Sequence, residues 1–132
     1  MSRENVEATI RLYEAAQQRN VGAARQLVAD DLEIFPLRFA VDGTVFRGPH
    51  AIRDYLAAID ETWDDLSFEV EELRDRGDHV VAIIRIWARG EASGASIDTR
   101  TGMVSTFVSG KIVCWRHYTD PAEALEAVGL RE

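Results

Sequence analysis

The sequence predicts an α+β fold, from the order in which two periodicities occur. Helical spacing of apolar residues dominates roughly the first half, and two-residue alternation dominates most of the second. A capping signature, Asp120-Pro121-Ala122-Glu123, then opens one more short helix near the end. Helices that precede a block of strands segregate to one side of the sheet, so N-terminal helices should pack on one face of a curved antiparallel sheet.

Ser2 can cap a first helix running to about Arg19, with Val6, Ile10 and Tyr13 recurring at helical spacing. Asn20 is a suitable cap for a second, shorter helix through Ala29, with Leu27 and Val28 turned inward. Asp30-Asp31 ends that pattern, and a short strand follows from Leu32 to about Leu37. Pro36 would put that strand at an edge or a bulge. Asp42-Gly43 reads as a turn into the extended piece Thr44–Arg47. Gly48-Pro49 opens a third helix, where proline in the first turn sacrifices no hydrogen bond. Ile52, Tyr55, Leu56, Ile59 and Trp63 then fall on one helical stripe.

Beyond Leu66 the period shortens to two. Phe68 and Val70 alternate with acids, Gly77-Asp78 makes a turn, and His79–Arg89 is a long strand. A loop over residues 90–94 leads to a strand over about Ile97–Val108. Ser109-Gly110 is a tight turn into the strand Lys111–Tyr118, and Gly129 stops the terminal helix. No repeat, linker or low-complexity stretch interrupts residues 1–132, which are read as a single domain.

Composition narrows the function classes. The chain of 132 residues carries 15 Lys+Arg against 23 Asp+Glu, a formal net charge of −8, which argues against a nucleic-acid partner. No apolar run approaches the roughly 20 residues of a membrane span, and no secretory signal opens the sequence, so the expected location is the cytoplasm. Cys114 is the single cysteine, which excludes an internal disulfide and a multi-cysteine metal site. His50, His79 and His117 lie too far apart for metal-ligand spacing, and neither a glycine-rich phosphate loop nor a serine elbow occurs. Residues 60–78 are acid-rich and read as a solvated surface rather than a docking patch. His50 and His79 are expected to be exposed. No metal and no cofactor is expected.

Several segments together resemble the nuclear transport factor 2-like superfamily. They are Leu12-Tyr13-Glu14-Ala15, the Asp30-Asp31 pair, the helix start Gly48-Pro49-His50-Ala51-Ile52 and the stretch from Gly110 to Asp120. With Glu123–Leu130 added, the chain is most similar to the SnoaL-like polyketide cyclase group. The resemblance implies a cone-shaped, cystatin-like roll whose strongly bent sheet wraps helices around a deep apolar pocket. It also implies a homodimer formed through the sheet. Fold alone does not choose a function, because the superfamily includes isomerases, cyclases, dehydratases, epoxide hydrolases and non-catalytic proteins.

Two enzyme branches can be compared position by position. Ketosteroid isomerases resemble this chain at the first strand, but their aspartate before proline matches Phe35. Their second acid falls near Val104 and their tyrosine donor near Leu12, so both matched chemical groups are missing. Limonene epoxide hydrolases are closer: their arginine matches Arg85, while their two acids match Trp87 and His117. That mechanism cannot run as it stands, although a neutral His117 can serve as a base.

Strand alternation puts Ile83, Arg85 and Trp87 on one face, and Trp115 with His117 on one face of the last strand. The resemblance implies that both faces line the pocket. Arg85 then either pairs with a structural acid or at the dimer interface, or holds a ligand oxygen. His117 is either a satisfied core histidine, a proton carrier or a ligand-orienting donor. Tyr13, Phe35, Phe39, Trp63, Ile83, Trp87, Val104 and Trp115 are the expected lining. Asp98 would reach the pocket mouth or the surface, and Cys114 should point away, opposite Trp115.

The expected function is a cofactor-independent, SnoaL-like small-molecule enzyme of cyclase, isomerase, lyase or hydrolase type. Its substrate would be hydrophobic and oxygen-bearing, with His117 and Arg85 catalytic. Two alternatives stay open: a non-catalytic ligand-binding protein on the same scaffold, and an epoxide hydrolase with an altered triad.

Overall fold

The alternating stretch between residues 67 and 118 forms four long strands in the computed structural model, which describes residues 2–89 and 96–130. Before it come helices α1 (Ser2–Gln17) and α2 (Val21–Arg25), strand β1 (Val28–Phe35) and the one-turn helix α3 (Phe39–Asp42). A two-residue strand β2 (Phe46–Arg47) and helix α4 (Ala51–Thr62) follow. The long strands are β3 (Ser67–Arg76), β4 (His79–Arg89), β5 (Ser96–Val108) and β6 (Lys111–Tyr118), and α5 (Pro121–Ala127) follows them. The expected loop over residues 90–94 and the Ser2 side chain lie outside the described residues.

The strands form one curled, unclosed sheet in the order β2-β1-β6-β5-β4-β3. Register shifts at Val28/Glu33, Val70/Glu72 and Thr106/Phe107 mark irregularities of the kind that bend strands. The sheet is antiparallel except at one ladder, where β1 runs parallel to β6. A parallel neighbour requires a long crossover, and the segment from α3 to β5 supplies it. The edges are blunted: β2 is only two residues long, and β3 exposes Glu69, Glu71 and Glu72.

Helix α1 packs a different stripe from the one its apolar residues suggest. Asn5, Thr9, Leu12, Tyr13 and Ala16 are buried, while Ile10 is exposed. The two polar residues are tolerated inside because each has a partner. Thr9 Oγ1 donates to the Asn5 carbonyl at 2.8 Å, and Asn5 Nδ2 donates to the Gly77 carbonyl at 3.1 Å. The second contact ties α1 to the β3–β4 turn. Helix α2 stops at Arg25 rather than Ala29, because β-branched Val28 joins the sheet opposite Ile112.

The sheet has two covered faces of unequal extent. Its concave face holds the main core, with Leu12, Leu32, Ile34, Leu56, Val80, Ile84 and Trp115 among its buried residues. On the convex face a smaller cluster joins Val81, Ile83 and Val104 to Ala124 and Leu125 of α5. Gly102 permits that docking: a Cβ there would lie 2.5 Å from the Ala124 Cβ. Asp120 caps α5 by accepting from the Ala122 N–H at 2.9 Å. Among the described residues, no helix is long and apolar enough to cross a membrane.

Candidate functional site

Between the concave sheet and helices α1 and α4 lies a cavity of about 530 Å³. That volume lies within the range of small-molecule sites. Ile84 and Ile86 of β4, Ile97 and Met103 of β5, and Trp115 and His117 of β6 form its sheet side. Tyr13 and Ala16 come from α1, and Tyr55, Leu56, Ala58, Ile59 and Thr62 from α4, with Trp63 just beyond. Pro36, Leu37, Phe46, Leu66 and Phe68 complete the apolar wall. The helical stripe containing Tyr55, Ile59 and Trp63 therefore faces the cavity rather than filling it.

An aromatic lattice stiffens the wall. Tyr13 meets Phe68 and Trp115 edge-on at 5.7 and 5.5 Å between ring centres, and Tyr55 meets Phe46 and Trp115 at 5.7 Å each. Trp115 Nε1 donates to the Tyr13 hydroxyl at 3.3 Å, which gives both buried polar tips a partner. Burial pushes the Tyr13 hydroxyl above its usual pKa and the Tyr55 hydroxyl up to about 12, so both stay protonated near neutrality.

Among the described residues, no carboxylate lines the cavity. The charged lining residues are Arg19 and Arg38, each tied to an acid beyond the wall. Arg19 follows α1 with φ of 58°, a left-handed conformation that costs a non-glycine residue roughly 1–2 kcal/mol. Its guanidinium reaches Asp60 from Nε and Nη2 and the Ala16 carbonyl from Nη1 at 2.7 Å. Arg38 bonds Asp42, whose carboxyl is held below its usual pKa mainly by the Thr44 hydroxyl and N–H.

His117 is the one imidazole in the lining. Its Nε2 lies 2.6 Å from Thr101 Oγ1, and burial pushes its pKa down to about 4. The ring is therefore neutral at pH 7 and is a weak base there.

The structure brings Tyr13, Trp63, Trp115 and His117 together at the cavity. It does not bring Ile83, Arg85, Trp87 or Val104 there. Because Ile84 and Ile86 face the cavity, alternation turns Ile83, Arg85 and Trp87 to the convex side, and Val104 pairs with Val81 on that side. Arg85 binds Asp98 in a two-pronged ion pair, at 2.9 and 2.7 Å, and its guanidinium lies 5.2 Å from the Trp87 ring centre. The pair holds Asp98 below and Arg85 above their usual pKa values, chiefly through the hydrogen bonds between them.

Phe35 and Phe39 are likewise absent from the lining. They stack edge-on at 5.0 Å beneath Arg116, which also covers Tyr118. Phe35 pairs in register with Arg116, whose side lies opposite Trp115 and His117. Cys114 lies outside the lining, and burial raises its thiol pKa. His50 is exposed as expected, but His79 is half-buried and bonds Thr106 Oγ1 at 3.0 Å. The acid-rich stretch is mostly exposed, with Asp60, Asp65, Glu71 and Glu72 paired to arginines. Among the described residues, no group of three His, Cys, Asp or Glu side chains is placed to hold a metal.

Sequence reasoning missed Arg19, Arg38, Tyr55, Phe46, Phe68 and the β4 isoleucines as lining residues. A signal existed for β4: Arg85 and Arg89 alternate with Ile84, Ile86 and Ala88, which marks the even positions as inward.

The family model described as a SnoaL-like domain matches residues 9–115. The chain belongs to this SnoaL-like family. Solved structures agree at the level of fold. An NTF2-like protein of unknown function from Burkholderia pseudomallei K96243 is 18% identical with a TM-score of 0.78, over 98% of this chain and 99% of that one. A protein provisionally assigned as a SnoaL-like polyketide cyclase, from Jannaschia sp. CCS1, is 20% identical with a TM-score of 0.78. The match covers 100% of this chain and 96% of that one. TerC, co-crystallised with polyporic acid, is 19% identical with a TM-score of 0.76, over 95% and 97% of the two chains. No curated protein matches the sequence.

Proposed function

We propose that this SnoaL-like chain binds a small, largely apolar, oxygen-bearing molecule in the cavity, with His117 orienting it by a hydrogen bond. The observation that carries the reading is the lining itself: about 530 Å³ of aromatic and aliphatic wall, one neutral imidazole and, among the described residues, no carboxylate. A pocket of this kind supplies affinity through apolar burial and direction through a few polar atoms. Binding is favoured over turnover because acid–base chemistry works best with a group whose pKa lies near the working pH, and His117 titrates near 4. A cofactor-independent enzyme in which His117 moves a proton is the second reading, favoured by its place in the wall. The epoxide hydrolase reading loses its arginine, since Arg85 sits on the opposite face bonded to Asp98.

Polyporic acid, the compound crystallised with TerC, is a suitable first probe. Titration followed by tryptophan fluorescence should report saturable binding through Trp63 and Trp115. Ile86→Trp should fill the cavity and weaken binding at least about tenfold while the chain still folds. Unchanged affinity in that variant would remove the cavity as the binding site. The enzyme reading instead requires that His117→Ala abolish turnover of a candidate substrate while preserving its affinity.

The convex face supports a second part of the proposal, self-association through the sheet. Beyond the area covered by α5 it presents Trp87, which is 38% exposed, and the Arg116 cluster with Phe35, Phe39 and Tyr118. Sedimentation at micromolar concentration should show a dimer that Trp87→Glu dissociates. A wild-type monomer would refute it.

A further inference from the structure

Thr101 is 1% exposed, and among the described residues its hydroxyl makes one hydrogen bond, to His117 Nε2. A buried hydroxyl must place its proton on an acceptor. If Nε2–H donated to Thr101, the Thr101 O–H would have no acceptor in turn. With Thr101 as donor, both atoms are satisfied and the ring proton resides on Nδ1. Among the described residues, Ser105 Oγ is the sole buried side-chain polar atom without a partner. Among the described residues Nδ1 of His117 has no hydrogen-bond partner, and the space His117 borders is the cavity.

We infer that Thr101 fixes His117 in its Nδ1–H tautomer, so that the ring donates a hydrogen bond into the cavity and selects a ligand with an acceptor oxygen, such as a ketone or quinone carbonyl. The rest of the lining agrees in polarity. Arg19 and Arg38 are obligate donors, and among the described residues the Tyr55 hydroxyl has no partner and no carboxylate lines the cavity to receive a ligand's proton. Thr101 is thus a positioning residue: it acts on the ligand through the imidazole. The choice of ligand group rests on the binding reading above, whereas the tautomer assignment does not.

Two measurements test the inference separately. Long-range ¹H–¹⁵N spectra of protein labelled at histidine nitrogen, with His117 assigned from the His117→Gln variant, read the tautomer without any ligand. Wild-type protein and Thr101→Ser should both show a protonated Nδ1 and an unprotonated Nε2. Thr101→Val should lose that single state. A protonated Nε2 in the wild type overturns the assignment, and an unchanged Nδ1–H spectrum in Thr101→Val overturns the role of Thr101.

For the ligand group, 2-acetylnaphthalene should bind about fivefold more tightly than 2-isopropylnaphthalene, the effect of one net hydrogen bond. That preference should vanish in His117→Phe. Equal binding of the two probes by the wild type overturns the donor role. Failure of both to bind would count against the cavity as a ligand site, while the spectrum still decides the tautomer.

Discussion

His117 is neutral in the folded chain because burial disfavours its charged form, taking its pKa from 6.5 to about 4. The sign of the linkage follows. Between those two values the unfolded chain binds the proton and the folded chain does not, so stability rises with pH there. The contribution is complete above about pH 6.5 and is lost as pH falls toward 4, by up to on the order of 3 kcal/mol. Urea unfolding at stepped pH should therefore show a steeper acid loss in the wild type than in His117→Gln. Parallel curves would mean that the ring is charged or solvated in the native state.

At the same scale, the pairing of Trp115 with His117 on one face was legible from alternation, and both side chains lie in the cavity wall. The Arg85 face failed the same reasoning for a physical reason. Alternation says which residues share a face, not which face is covered. In the first half of β4 both are covered, one by α1 and the other by α5, so Val80 to Ile84 are all buried and parity is hidden. Only at Arg85, Trp87 and Arg89 does the outer face become visible in the sequence.

Among the elements, α5 depends on a missing side chain. At Gly102→Ala the new Cβ would press on the Ala124 Cβ at 2.5 Å and the Pro121 Cα at 3.3 Å, and backbone is slow to yield. The substitution should destabilise the chain by roughly 1–3 kcal/mol, the usual range for overpacking. Hydrogen exchange should rise across Pro121–Ala127, and unaltered protection there would show that α5 docks elsewhere. The helix itself was legible from its Asp120-Pro121 cap and its Gly129 stop. Its docking surface was not, because nothing local distinguishes Gly102 from a turn glycine. The stripe of α1 was obscured similarly: Asn5 and Thr9 are buried through bonds to Gly77 and to the helix backbone, and a polar residue with a remote partner looks solvent-facing in a sequence.

Across the whole molecule, one curled sheet serves two surfaces. The concave side keeps an apolar cavity open because large rings from α1, α4 and β6 brace one another edge-on instead of collapsing. Among the described residues, the acids that give the chain its net charge of −8 stay out of the cavity wall, where the charged groups are arginines. An oxygen-bearing apolar molecule suits such an interior better than a cation does. A crystal grown with 2-acetylnaphthalene tests this most directly. The account predicts the ligand between Trp63 and Trp115, with an acceptor oxygen at hydrogen-bond distance from His117 Nδ1. A ligand seated outside the cavity, or inside it with His117 still bonded only to Thr101, would contradict it.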